Sequence, residues 1–297
     1  MNATHHPNRH RAGAGVALLM LAGTLFTSGC ALFRSGGDGE LTARDEPTAL
    51  QQAIDWATQQ ASAVPDEPYW PHHLAELYVR SGRGDDAEHA LHDALARDPR
   101  YAPSLTLLSR LLYQDGRFGE GLELLSSVPI DSFPRGEACV LAADLALHRE
   151  ALGDPEAARR TLEPYRADID WKELGSVPTY LELRGDDFLD AKVPAERALD
   201  AQEDAVNLNN HGIARLLAGD PETARREFQR AHTLDPDLPG PLYNLAIVER
   251  FYFFDDKAAQ GYFDQYASLS SEDPDGLRLV FQTDAQSRVV RDEEAER

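Results

Sequence analysis

The sequence predicts an all-α chain of stacked helical hairpins, on three observations. Glycines mark a ruler: Gly82, Gly116, Gly153, Gly185 and Gly219 follow one another at spacings of 34, 37, 32 and 34 residues. Apolar residues keep register with it, since Leu74 and Leu108, Tyr78 and Leu112, and Leu91 and Leu125 each lie 34 apart. Between glycines, two apolar stripes at helical spacing are separated by a turn signal.

The first segment is an address. Arg9 and Arg11 precede 15 apolar or small residues, Ala12–Phe26. Crossing a bilayer core takes about 20 such residues, so the run reads as the hydrophobic region of a signal peptide. Thr27-Ser28-Gly29-Cys30 follows and resembles a bacterial lipobox, with Thr27 where that pattern most often has Leu. The resemblance implies residues 1–29 as a cleaved lipoprotein signal, a lipid on Cys30 and, because Ala31 rather than Asp follows, the outer membrane of a two-membrane host. Acyl chains contribute about 0.8 kcal/mol per buried methylene, enough together to hold a soluble body at a membrane. A plain secretory signal with an incidental cysteine, or an uncleaved anchor, is the alternative. Residues 30–46, rich in Gly, Ser and Asp, read as a flexible tether.

The repeat body spans 47–270. A lone helix, Pro47–Ala63, is expected to cover the first hairpin. In Pro68–Tyr101, Leu74, Ala75 and Tyr78 make one stripe, Gly82 ends the helix, Asp85 and Asp86 suit the positive end of the next, and Ala87, Ala90, Leu91 and Ala94 make the second stripe. Asp98-Pro99 ends it. One apolar face per helix cannot be buried by one hairpin, so units must stack. Ala102–Pro129 repeats the pattern and Ala138–Tyr165 does so more weakly. Residues 166–204 are irregular: Pro178 and Pro194 fall where helix interiors are expected, which suggests a degenerate hairpin and a joint. Ala205–Leu238 and Pro239–Ser270 resume, with Ala224 matched to Ala258 and Phe228 to Tyr262, and Phe253 in place of the turn glycine. Residues 271–297 read as a cap beginning at Leu277 and a polar tail.

The period and residue types resemble the tetratricopeptide repeat. Leu74, Ala75, Tyr78, Ala87, Leu91, Ala94 and Pro99 match that family's pattern, as do Gly212, Ala224, Phe228, Ala231 and Pro236 in a later unit, where His211 and Arg215 depart from its apolar sites. The resemblance implies a right-handed superhelical solenoid whose concave face binds protein segments. The family's groove positions fall on His72, Glu76, Val79 and Arg80, then on Thr106, Arg110, Tyr113 and Gln114. Further along they fall on Asn209, Ile213, Leu216 and Leu217, then on Tyr243, Ile247, Arg250 and Phe251. No lysine occurs among them, which argues against the clamp that some members use for a terminal carboxylate.

Chemistry is otherwise sparse. His89 and His92 have metal-ligand spacing but no third partner, and they lie between stripe positions, so no metal is expected. Phosphate loops, nucleophile elbows and zinc-protease motifs are absent, Cys139 sits in an apolar run, and acid pairs such as Asp255-Asp256 suit helix starts. No cofactor and no enzyme activity are expected. A net charge of −22 opposes nucleic acid and docking on anionic lipid through a basic face. Phe251-Tyr252-Phe253-Phe254 reads as packing under the last hairpin, with an exposed anchor patch as the alternative. The expected function is a lipid-anchored scaffold or adaptor on the periplasmic side of the envelope, holding a component of a pilus, secretion or outer-membrane assembly machine. A chaperone-like carrier of extended client segments is the alternative, and an enzyme acting on cell-wall glycan is a more distant one.

Overall fold

Helices account for 79% of the described residues, and no strand occurs among them. The computed structural model describes residues 46–184, 188–273 and 276–281. Cys30, the signal and tether segments, Gly185, Pro274 and the polar tail lie outside them. Two compact units divide between Asp170 and Trp171.

The N-terminal unit holds α1 (Glu46–Ala63), α2 (Tyr69–Arg80), α3 (Gly84–Arg97), α4 (Ala102–Gln114), α5 (Phe118–Ser126), α6 (Arg135–Ala151) and α7 (Pro155–Leu162). The ruler glycines close α2, α4 and α6 for one reason. Gly82, Gly116 and Gly153 have φ of 70°, 72° and 87°, where a side chain is strained, and the next N–H reaches back five residues to close the turn (Arg83 to Tyr78, Arg117 to Leu112, Asp154 to Arg149). Ile54, Ala57 and Ala61 of α1 cover Leu74, Ala75, Leu77, Ala87 and Leu91, and the same core continues into Leu108 and Leu112 of α4. Gly121 of α5 is forced by packing: a Cβ there would lie 2.0 Å from the His148 ring.

The C-terminal unit begins with α8 (Ser176–Leu183), a 3-10 turn (Phe188–Ala191) and α9 (Lys192–Ala201). Pro178 and Pro194 therefore lie in first turns, where the missing N–H costs nothing, and not in helix interiors as the sequence suggested. Next come α10 (Ala205–Leu217), α11 (Pro221–Leu234), α12 (Pro239–Val248) and α13 (Asp256–Leu269). Asp204, Asp220 and Asp255 cap the N-termini of α10, α11 and α13 through their carboxylates.

The last hairpin corrects the predicted register. A π turn, Glu249–Phe253, lengthens the end of α12 by one residue. The closing bond after Gly219 spans five residues (Asp220 to Arg215), whereas its counterpart spans six (Asp255 to Glu249). Core places consequently fall to Ala259 (0% exposed) and Phe263 (4%), not to Ala258 and Tyr262. Phe254, not Phe253, takes the left-handed place of the turn glycine, at φ 58°. A left-handed L-residue costs about 1–2 kcal/mol, and this side chain is 80% exposed, so it recovers little by packing. Phe254→Gly should therefore raise the unfolding free energy by about 1 kcal/mol, read from the denaturation midpoint at unchanged slope. A loss of stability would mean that the ring makes a contact worth more than the strain.

Candidate binding groove

Helical spacing puts His72, Glu76, Val79 and Arg80 on one face of α2, and Pro103, Thr106, Leu107 and Arg110 on one face of α4. Glu137 and Val140 of α6 complete the wall of an open groove of about 450 Å³. Six of the sequence-derived groove positions (those four of α2, with Thr106 and Arg110) thus line one cavity.

Cross-repeat bonds hold the three helices in register. His72 Nδ1 lies 3.2 Å from Ser104 Oγ, and the His72 ring packs edge-on against Tyr101, centroids 5.5 Å apart. On the same helix, Glu76 lies 2.9 Å from His73 Nδ1 and 3.6 Å from His72 Nε2. The His72 imidazole, with His73 behind it, holds the Glu76 carboxyl down at about 2 against the cost of burial. Ser104, His72 and Glu76 have the order of a hydrolytic triad, but Ser104 is wholly buried, so no substrate carbonyl reaches its Oγ. The arrangement positions His72.

Asp144 of α6 was not singled out from the sequence. It is 2% exposed and sits 3.4 Å from Arg110 Nε, fixing that guanidinium on the groove wall. The signal was available: an acid inside the apolar run ACVLAADLAL, 34 residues after Arg110. Burial raises the Asp144 carboxyl to about 6, because the Arg110 charge only partly offsets desolvation. One turn on, burial pushes His148 down to about 4 while Ser109 Oγ meets its Nε2 at 2.9 Å. The two slopes oppose. Asp144 gives stability below about pH 4 that is lost as pH rises to about 6; His148 gives stability above about pH 6.5 that is lost as pH falls to about 4. Asp144→Asn leaves only the second slope. Between pH 6 and 4 its stability should fall relative to the parent by about 2 kcal/mol, read by denaturant titration across pH. A constant difference across that range would contradict the account.

The other predicted positions lie elsewhere. Tyr113 packs edge-on against Phe118 and His148, and Gln114 is exposed at the end of α4; neither lines the groove. In the C-terminal unit the predicted residues are buried, half-buried or paired among the described residues. Asn209 (1% exposed) accepts a bond from Asn244 Nδ2 at 2.8 Å, and Ile213, Tyr243 and Ile247 are core. The physical reason is coverage: α12 is buried on almost every face, and Leu277 and Phe281 of the helical turn 277–281 join the cluster around Tyr243 and Ile247. Arg250 is paired with Asp256, and Phe251, Tyr252 and Phe253 are half-buried against neighbouring core. His89 and His92 are exposed, and no group of three metal-ligating side chains occurs among the described residues. Cys139 is buried, which raises its thiol pKa.

Comparison with known proteins agrees with the fold. Residues 78–138 match the tetratricopeptide repeat family. A chain of the APC/C hetero-tetramer Cut9–Hcn1 superposes with a TM-score of 0.63 at 13% identity over 76% of this chain, which spans only 44% of that one. A tetratricopeptide repeat protein from Parabacteroides merdae gives 0.51 at 16% identity, covering 73% of this chain and 80% of its own. No curated protein sequence matches. The chain thus has the helical-hairpin solenoid fold of these structures, and residues 78–138 resemble the tetratricopeptide repeat in sequence.

Proposed function

We propose that the chain is a scaffold of the bacterial cell envelope, lipid-anchored through Cys30 at the periplasmic face of the outer membrane, that holds a segment of a partner protein in the groove of α2, α4 and α6. A tetratricopeptide fold supports protein–protein interaction in general; the groove itself is the observation that carries the reading here. Its walls combine the aliphatic groups of Val79, Leu107 and Val140 with Arg110, held by Asp144 of the next repeat, and Glu76, held by His72 and His73 of its own helix. A carrier of many clients is better served by a wide apolar surface, so this composition favours a defined partner over the chaperone-like alternative. The run Ala12–Phe26 followed by Cys30 supports the anchor.

Two experiments test the halves separately. Labelling cells with a palmitate analogue should mark the parent and not Cys30→Ala, and equal labelling refutes the anchor. A photo-crosslinking residue at Val79 should give a discrete adduct that is lost when Arg80 is replaced by Glu, whereas the same probe at His92 on α3 should give none. Equal adducts from both positions would refute the groove.

A further inference from the structure

Four carboxylate or guanidinium side chains line the groove, and two of them are already satisfied within the unit. Glu76 faces His72 and His73, and Arg110 faces Asp144. Arg80 and Glu137 are exposed and have no ion pair or hydrogen bond among the described residues. They are of opposite sign and stand on helices separated by α4. Neighbouring helix axes lie about 8–10 Å apart, so α2 and α6 are roughly 16–20 Å apart. Arg80 ends α2 and Glu137 opens α6, which adds about 14 Å along the helices and makes the span about seven residues of extended chain at ~3.3 Å each. Leu107 and Val140 lie between them.

We infer that the groove takes an extended protein segment carrying an acidic and a basic side chain about seven residues apart, with apolar residues between them, the acid at Arg80 and the base at Glu137. This rests on the reading of the groove as a docking site. The chain's net charge of −22 alone favours a uniformly basic partner, since it attracts cations at long range. Arg80 inside the groove opposes that choice, because a lysine placed there meets a like charge.

The test uses the full chain and degenerate nonapeptide pools, acetylated and amidated so that the termini carry no charge. Positions 1 and 8 are fixed as Glu/Lys, Lys/Glu, Lys/Lys or Gln/Gln, with a mixture of Ala, Val, Leu and Pro elsewhere, and binding is read by fluorescence anisotropy. One mixed-charge pool should bind about ten-fold more tightly than Gln/Gln, as two exposed ion pairs together provide. That advantage should drop to about three-fold in Arg80→Gln or Glu137→Gln and disappear in the double variant. Equal binding of mixed-charge and Gln/Gln pools, or tightest binding of Lys/Lys, overturns the inference. If Val79→Arg still weakens Gln/Gln binding, the docking reading survives that outcome. If no pool binds, both readings fail.

Discussion

Phe228→Ala should lower the unfolding free energy by about 3–5 kcal/mol, the usual cost of deleting a fully enclosed aromatic ring. Phe228 is 0% exposed and packs into the cluster of Ile213, Ala214, Leu216, Ala224, Leu245 and Val248. Its ring lies over Gly212, where a Cβ would come within 2.6 Å of Cε1, so the glycine and the phenylalanine are one packing decision. The site has little freedom to collapse, because α10 lacks a side chain on the facing side. Chemical denaturation with tryptophan fluorescence gives the value directly. A cost below about 1 kcal/mol would mean that the hairpin repacks and that this core is loose.

His211→Ala should be nearly as damaging, at about 3–5 kcal/mol, for an electrostatic reason. His211 and Glu227 are both buried and meet at 2.6 Å between Nδ1 and Oε2. Truncating the imidazole strands a carboxylate away from water, and the stranded group dominates the loss. The double variant His211→Leu/Glu227→Leu removes both polar groups and should recover most of the stability, since apolar residues commonly replace buried pairs at little cost. If the double variant is as unstable as the single one, packing rather than the pair explains the effect.

Much of this was legible in the sequence because it follows from backbone geometry. A turn that needs positive φ selects glycine, so Gly82, Gly116, Gly153 and Gly219 announced their hairpins. The last hairpin broke the ruler, because an inserted π-turn residue moved the left-handed place to Phe254, a residue type that gives no such signal. His211 and Arg215 looked like defects at apolar positions. Each has a partner distant in sequence, Glu227 and Glu196, that a one-dimensional stripe does not reveal. The groove on α2 and α4 was readable from repeat positions, since side-chain direction follows helical phase. Its supporting Asp144 and the burial of Tyr243 and Ile247 were not, because both depend on what the next element places against that face.

Hydrogen exchange of the full chain, with and without a saturating nonapeptide pool that binds it, tests most directly whether the face of α2, α4 and α6 is where a partner segment lies. Slowed exchange confined to residues 72–80, 102–110 and 137–144 is the predicted result. Slowing that centres on α3, α5 and α7, or on the turn around Phe254, would contradict it.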